Sequence, residues 1–222
     1  MSNQRILLNL GCGQNRPTDW TNTDSSLNSL AQKLPLINQL VKKYHKSTVY
    51  NSTNADYMDL RKSWNFSSDS VDVVYASHVF EHLNFKTSQL FMKEAYRTLK
   101  KNGAVRIVIP DLYQLAKQYT LDYEQGKKDA SQKFLYALNL HLEGTYSERH
   151  NILLNFINWL QGHPHQHKYM YDVFSLKEIL NKSGFSQLKE SSYGQSQYIP
   201  EINQVESTGE GITSIYIEGI KV

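Results

Sequence analysis

Short apolar runs along the chain predict where strands form. Three of these runs consist mostly of aliphatic residues without polar alternation: 6–10, 71–76 and 105–109. Each is followed by a residue that ends a strand or places a polar group at its carboxyl end, namely Gly11, Ser77 and Pro110. Runs of this kind are typical of parallel strands buried on both faces of a sheet. We therefore predict a parallel sheet with polar groups gathered at one edge.

Helical spacing links the second and third runs. Between residues 86 and 101 the apolar side chains recur every three or four positions, and Asn102-Gly103 is expected to end this helix. The order strand, helix, strand is a βαβ unit, which is right-handed and collects ligands beyond the carboxyl ends of its strands.

Weaker patterns supply the remaining elements. We expect further short strands at 20–23, 55–58, 185–192 and 213–220, and further helices at 27–44 and 175–182. Residues 113–168 are strand-poor and carry helical spacing, so this segment is predicted to be a helical insertion. The chain is interpreted as one domain, 1–222, with a core of 1–112 and 169–222 and the insertion as a lid.

Composition and charge narrow the possible functions. The 222 residues include 24 Lys and Arg against 21 Asp and Glu, a net charge of +3, which is too small for the basic footprint of a nucleic-acid binder. The single cysteine excludes an internal disulfide framework. No charged leader followed by an apolar stretch begins the chain, and no apolar run is long enough to span a membrane. We expect a cytoplasmic protein with no membrane span.

Chemistry-bearing residues follow the predicted strands in order. The first strand breaks into Gly11-Cys12-Gly13, and glycines there let the backbone approach a ligand closely. Asp24 follows the second strand and can accept both hydroxyls of a ribose. Asp59 follows the third strand and Ser77-His78 the fourth, so that all four sets are expected at one edge of the sheet.

Taken together, these residues resemble the class I S-adenosylmethionine-dependent methyltransferases, and within them the bacterial group related to the methyltransferase type 11 domain. The resemblance rests on five stretches of the chain, at residues 8–24, 59–83, 94–104, 106–112 and 171–185. It implies an α/β fold with a Rossmann-like, doubly wound, seven-stranded and mostly parallel sheet. The same resemblance implies an antiparallel C-terminal strand, besides the helical insertion.

The resemblance also implies S-adenosyl-L-methionine as the cofactor and assigns residues to it. Gly11 and Gly13 would line its methionine and ribose part, Asp24 would hold the ribose, and Asp59 with Leu60 would face the adenine. The full expected cofactor set is Asn9, Gly11, Cys12, Gly13, Asp24, Asp59, Leu60, Ser77 and His78. Asn9 and Asn15 stand where the family often has an acidic residue and a third glycine, so the amino-acid end of the cofactor is expected to be held differently.

Histidines are the candidate catalytic groups. His78 is a candidate base because imidazole titrates near neutral pH, whereas Glu81 and His82 are expected to pin the start of the following helix. His165 and His167 are predicted to line the acceptor site, because the run 163–167 lies where the insertion rejoins the core. Alternate histidines there also suit a metal ion, but the run contains no carboxylate, and no metal is assigned.

The acceptor and its alternatives follow from the same features. We expect methyl transfer to a small hydroxyl or amine acceptor, for instance a sugar or a cell-surface glycan precursor. A catalytically silent module that binds S-adenosylmethionine is the alternative, since Asn9 and Asn15 depart from the family pattern. A nucleic-acid acceptor is disfavoured by the weak charge, and the oligomeric state is left open.

Overall fold

Seven strands form one sheet in the part of the chain that the computed structural model describes, residues 5–25, 55–140, 166–206 and 213–222. The strands are β1 (Leu7–Leu10), β2 (Thr21–Asp24), β3 (Asp56–Tyr57), β4 (Val71–Ser77), β5 (Leu99–Pro110), β6 (Phe185–Ser191) and β7 (Ser214–Lys221). Their order is β3-β2-β1-β4-β5-β7-β6, and β7 runs antiparallel to both of its neighbours while the first five strands are parallel. The predicted doubly wound, mostly parallel α/β fold is confirmed.

The strand order creates a crevice between β1 and β4. From β1 the chain moves outward to β2 and β3, and it then returns to place β4 on the other side of β1. Such a reversal of direction separates the loops that leave neighbouring strands. Ligands of doubly wound folds bind in this crevice, at the carboxyl ends of the strands.

Five helices accompany the sheet within the described residues. They are α1 (Phe85–Thr98), α2 (Leu112–Glu124), α3 (Ala130–Ala137), α4 (Val173–Lys182) and α5 (Ile202–Val205), with one 3-10 turn at Phe80–His82. Side chains of Asn84, Asp111 and Asp172 cap the starts of α1, α2 and α4 by accepting bonds from backbone amides. No helix in this part of the chain is long and apolar enough to cross a membrane.

The described part of the insertion is helical, as the sequence predicts. Helices α2 and α3 pack together through Tyr119 and Phe134, whose rings stack at 4.9 Å. Residues 141–165 of the insertion and the helix predicted at 27–44 lie outside the described residues.

The end of α1 differs from the prediction. The helix stops at Thr98, and β5 starts at once with Leu99, which is fully buried and pairs with Val71. Asn102, in the left-handed region at φ 64°, and Gly103 lie within an irregular start of β5, where the register to β4 shifts. Asn102-Gly103 therefore does not end the helix, because burial of Leu99 in the sheet takes precedence over helical spacing.

Apolar residues cover both faces of the sheet. One face packs against α1 and α4, where Phe91, Ala95, Leu176 and Leu180 are fully buried. The other face packs Trp20 and Tyr75 against residues near α5, among them Ile199, Ile202 and Val205. Burial on both faces accounts for the unalternating apolar runs of β1, β4 and β5.

A fully buried arginine lies on the α5 side of the sheet. Arg106 of β5 donates from Nε and Nη2 to the Glu206 carboxylate at 2.7 and 2.9 Å, and from Nη1 to Glu218 at 3.0 Å. The three side chains are at most 2% exposed. In the sequence, Arg106 is a charged residue inside the otherwise apolar run 105–109.

Candidate functional site

A cavity of about 310 Å³ opens at the carboxyl ends of β1 and β4. Its lining combines expected and unexpected residues: Asn9, Gly11, Cys12, Asn15, Tyr75, Ser77, His78, Val108, Tyr193, Val205, Glu206, Ser214 and Tyr216. Five of the nine residues expected at the cofactor are therefore in its wall. Gly13, Asp24, Asp59 and Leu60 are not part of this lining, and their positions are described below.

The glycine turn after β1 requires glycine at its first position. Gly11 has φ 61°, and a Cβ built there would lie 2.4 Å from Cγ2 of Val79, which is closer than side-chain atoms approach. Gly13 also has positive φ, at 51°, but a Cβ there would meet no atom within 4 Å. Close packing of the β1 turn against the segment after β4 thus depends on Gly11.

We expect Gly11→Ala to be less stable than a matched variant, Gly126→Ala. Gly126 also has positive φ (69°), but a Cβ there meets nothing within 4 Å, so that variant carries only the left-handed strain of roughly 1 to 2 kcal/mol. The clash with Val79 adds overpacking of about 1 to 3 kcal/mol. Urea unfolding of both variants measures this difference. Equal stabilities would contradict the clash, and Val79→Ala should restore part of the loss in Gly11→Ala.

Asp24 lies beside the glycine turn. Its Oδ2 accepts a hydrogen bond from the Gly13 amide at 3.0 Å, and the backbone is fixed further by the Cys12 amide, which donates to the Thr23 carbonyl. The carboxylate is partly exposed at the carboxyl end of β2. The structure therefore brings Asp24 and Gly13 together, as the strand-end pattern predicts.

Side-chain hydrogen bonds of Asn9 and Asn15 fix the turn after β1. The Asn9 side-chain amide donates to the Asn15 carbonyl and to Asn22 Oδ1, each at 2.9 Å. The Asn15 side-chain amide in turn donates to the carbonyl of Val205 at the end of α5. These uncharged amides take the place of the acidic residue and the third glycine that are common in the family.

Asp59 and Leu60 lie apart from the cavity wall. The Asp59 carboxylate forms two bonds with the Arg61 guanidinium, at 2.8 and 3.0 Å, and these bonds hold its pKa below the usual range. The Leu60 side chain is buried in the core on the α1 side. At this strand end, an adenine would therefore contact the backbone or the solvent-exposed side of the Asp59–Arg61 ion pair.

Cys12 is a buried thiol in the glycine turn. Burial raises its pKa to about 11, so the thiol stays protonated at neutral pH. A protonated thiol is a poor nucleophile, which agrees with a packing role in the turn.

His78 lies at the cavity floor with a defined orientation. Its backbone is left-handed, at φ 53°, and its amide donates to the Val108 carbonyl. The imidazole is 35% exposed and lies between two polar groups, with Nδ1 3.4 Å from Glu81 Oε1 and Nε2 3.2 Å from Ser214 Oγ. Nδ1 thus faces the Glu81 carboxylate without a hydrogen bond, while Nε2 lies beside the Ser214 hydroxyl at the cavity wall.

His167 lies behind His78 and is not part of the cavity lining. Its Nε2 is 3.9 Å from Glu81 Oε1, and its ring packs edge-on against His82 at 4.8 Å. Burial lowers the pKa of His167, which favours its neutral form. Glu81 and His82 belong to the 3-10 turn after β4, where they were expected to pin a helix start, while His165 lies outside the described residues.

Several residues of the cavity wall are not predicted by the sequence analysis. Tyr193, Glu206 and Ser214 follow residue 185, where the last stretch of the family resemblance ends. Ser214 begins β7, and its place beside His78 depends on the antiparallel pairing of β7 with β5. Only the position of a polar residue at a strand terminus hinted at this role.

A comparison with protein-family models indicates the class of protein to which this site belongs. Residues 8–107, from β1 into β5, match the family model described as a methyltransferase domain. This part of the chain is a methyltransferase domain. The match spans 100 of the 222 residues, and for this part of the chain it indicates an S-adenosylmethionine-dependent methyltransferase of the class I, type 11-like kind.

Solved methyltransferase structures share the fold. One is a SAM-dependent methyltransferase of Thermotoga maritima, described as a possible histamine N-methyltransferase. It is 14% identical, the match covers 98% of this chain and 82% of that one, and the TM-score is 0.51. A SAM-dependent methyltransferase of Archaeoglobus fulgidus is 16% identical over 99% of this chain and 87% of the other, with a TM-score of 0.45. At 14% identity the likeness to the Thermotoga maritima structure shows the fold alone.

A longer chain matches over 49% of its own length. Phosphoethanolamine N-methyltransferase 2 of Haemonchus contortus, in complex with S-adenosyl-L-methionine, is 15% identical over 100% of this chain and 49% of its own, with a TM-score of 0.48. A search of curated proteins finds no match to this methyltransferase.

Proposed function

We propose that the chain is a methyltransferase that uses S-adenosylmethionine as its cofactor and transfers the methyl group to a small hydroxyl or amine acceptor, such as a sugar or a glycan precursor, in the cytoplasm. The cofactor would lie against the glycine turn, with its ribose on Asp24 and its sulfonium end toward Ser77 and His78. One observation carries this proposal: the Gly13 amide and the Asp24 carboxylate are joined at 3.0 Å beside the cavity at the carboxyl ends of β1 and β4.

The cavity wall favours an uncharged acceptor. No Lys or Arg is among its described lining residues, and Glu206, its one carboxylate, is already bonded to Arg106. A phosphorylated or carboxylated acceptor would need a cation to balance its charge on leaving water. Neutral hydroxyl groups and neutral amines have no such requirement.

His78 is proposed as the base that accepts the proton of the acceptor. Methyl transfer needs the attacking oxygen or nitrogen held in line with the sulfonium, and a hydroxyl must also lose its proton. The orientation of His78 between Glu81 and Ser214 leaves Nε2 at the cavity. Ser77 precedes it in the same wall, where it would face the methionine end.

The insertion 113–168 is proposed as a lid over the acceptor. It leaves the core just after β5, where Asp111 caps α2, and it returns at 166–169, where two backbone amides donate to the Glu81 carbonyl. Both ends are therefore at the cavity edge of the sheet. Tyr113, Tyr123 and Tyr136 on α2 and α3 are more than half exposed, and rings of this kind suit stacking on a sugar.

Calorimetric titration with S-adenosylhomocysteine tests the cofactor site. Asp24→Ala should weaken binding by about 10- to 100-fold, because hydrogen bonds to a charged group contribute roughly 1.5 to 3 kcal/mol. Asp19→Ala, which removes an exposed carboxylate from the loop that precedes β2, should bind like the unaltered chain. Absence of binding by the unaltered chain, or equal affinity of Asp24→Ala, would refute the proposed site.

Transfer of a labelled methyl group separates the enzyme from a silent binding module. The protein is incubated with labelled S-adenosylmethionine and a small-molecule extract of cells, and products are resolved by chromatography. Label in a neutral, glycan-like or amine product supports the proposal. Tight S-adenosylhomocysteine binding without transfer to any extract would instead assign the chain as a silent module.

A further inference from the structure

Three potential metal ligands converge behind His78 at the end of β4. Glu81, His82 and His167 each offer one ligand-type atom, and these atoms lie within 4.8 Å of one another. The backbone explains how distant parts of the chain meet here, because the amides of Lys168 and Tyr169 donate to the Glu81 carbonyl at 2.8 and 3.2 Å. The return of the insertion is thereby held against the 3-10 turn.

The Glu81 carboxylate is buried without hydrogen bonds from the described residues. The side chain is 1% exposed, and neither Oε1 nor Oε2 has a hydrogen-bond partner. The nearest cationic candidates are His78 Nδ1 at 3.4 Å and His167 Nε2 at 3.9 Å, and neither makes a hydrogen bond to it. A buried carboxylate in this state is costly unless a cation compensates its charge.

His82 is oriented as metal-bound histidines usually are. Its Nδ1 lies 3.1 Å from the Gln166 carbonyl, and since a carbonyl only accepts, Nδ1 carries the proton. The lone pair is then on Nε2. A backbone carbonyl that fixes the tautomer and the ring of a ligating histidine is a common outer contact in metal sites.

We propose that Glu81, His82 and His167 bind one divalent transition-metal ion, of the zinc or cobalt kind. Two imidazoles and one carboxylate match the three-ligand set of catalytic zinc sites, which keep a fourth position open, while imidazole disfavours magnesium and calcium. Two ligands of a tetrahedral ion lie about 3.4 Å apart at bond lengths of about 2.1 Å, so ligand atoms that are now up to 4.8 Å apart close by as much as about 1.4 Å on binding. This assignment departs from the expectation of no metal.

The ion would act on the proposed base through Glu81. It would lie next to His78, whose Nδ1 contacts the same Glu81 oxygen that faces His167. By fixing the Glu81 carboxylate, the ion would position the imidazole whose Nε2 lies at the cavity beside Ser214. This role rests on the proposed function, whereas binding of the ion does not.

Titration with Co²⁺ tests the site directly. Untagged protein is stripped with a chelator and titrated with Co²⁺, and visible absorption bands report nitrogen and oxygen ligation. We expect one equivalent to bind, Zn²⁺ to displace it, and Glu81→Gln and His167→Asn each to lose more than about 100-fold in affinity, since even outer contacts cost 10- to 100-fold. Glu178→Gln, which alters an exposed carboxylate, should bind like the unaltered chain.

The outcomes test the metal site and the proposed function independently of each other. Failure of the unaltered chain to bind Co²⁺ or Zn²⁺, or unchanged affinity in both ligand variants, overturns the metal site. If Glu81→Gln does not fold, as judged by thermal unfolding, His82→Asn and His167→Asn decide instead. A chain that binds Co²⁺ but not S-adenosylhomocysteine would keep the metal site and refute the proposed function.

Discussion

Replacing Arg106 by methionine is expected to lower the free energy of unfolding by about 3 to 5 kcal/mol, the range for removing one partner of a buried ion pair. Arg106 is fully buried and donates to Glu206 and Glu218 at 2.7 to 3.0 Å. Gly194, Ser196 and Gln197 still donate to these two carboxylates, but no cation among the described residues replaces the guanidinium. Urea unfolding measures the change.

A surface pair provides the matched control for Arg106. Arg5 bonds to Glu201 at 2.6 Å, but its side chain is 40% exposed, and such pairs contribute at most about 1 kcal/mol. Arg5→Met should therefore cost far less than Arg106→Met. The triple variant with Glu206→Gln and Glu218→Gln should regain part of the loss because it removes the uncompensated charges. A loss in Arg106→Met no larger than that in Arg5→Met would contradict this account.

Replacing His78 by asparagine is expected to slow methyl transfer by about 100- to 10,000-fold, the range that a positioned base contributes. Asparagine suits this position because it tolerates the left-handed backbone that His78 adopts at φ 53°. The backbone amide bond to Val108 should therefore persist. The initial rate of transfer from labelled S-adenosylmethionine to the extract acceptor measures the effect.

Two further measurements make the His78 prediction specific. The affinity for S-adenosylhomocysteine should change less than tenfold, because the loss concerns proton removal and not the ribose contact. Ser214→Ala, which removes the hydroxyl 3.2 Å from Nε2 but keeps the imidazole, should slow transfer much less. A His78→Asn rate within threefold of the unaltered rate would exclude the imidazole as the base.

The helical insertion shows how far sequence patterns reach. Helical spacing correctly predicts that residues after β5 are helical, and α2 and α3 confirm it. The same rule extends the preceding helix to 101, whereas the helix stops at Thr98. Spacing reports which positions share a face, but it cannot tell a buried helical residue from the first buried residue of a strand, as Leu99 demonstrates.

The sequence by itself determined which strands end in candidate binding or catalytic residues, and that these residues lie at the carboxyl ends. Gly11, Asp24 and His78 lie at the carboxyl ends of predicted strands, and parallel strands must bring such ends to one edge, so local patterns sufficed to place them near one cavity. The pairing of Asp24 with the Gly13 amide follows from the same geometry.

Only the tertiary structure decided which side chains meet across long stretches of chain. Arg106 finds Glu206 and Glu218 at separations of 100 and 112 residues, and His82 reaches Gln166 across 84. These contacts depend on the strand register and on the path of the insertion. Neither can be read from the local periodicity of the sequence. Burial then gives the side chains their chemistry, because a carboxylate removed from water must find a cation, a donor or a metal ion.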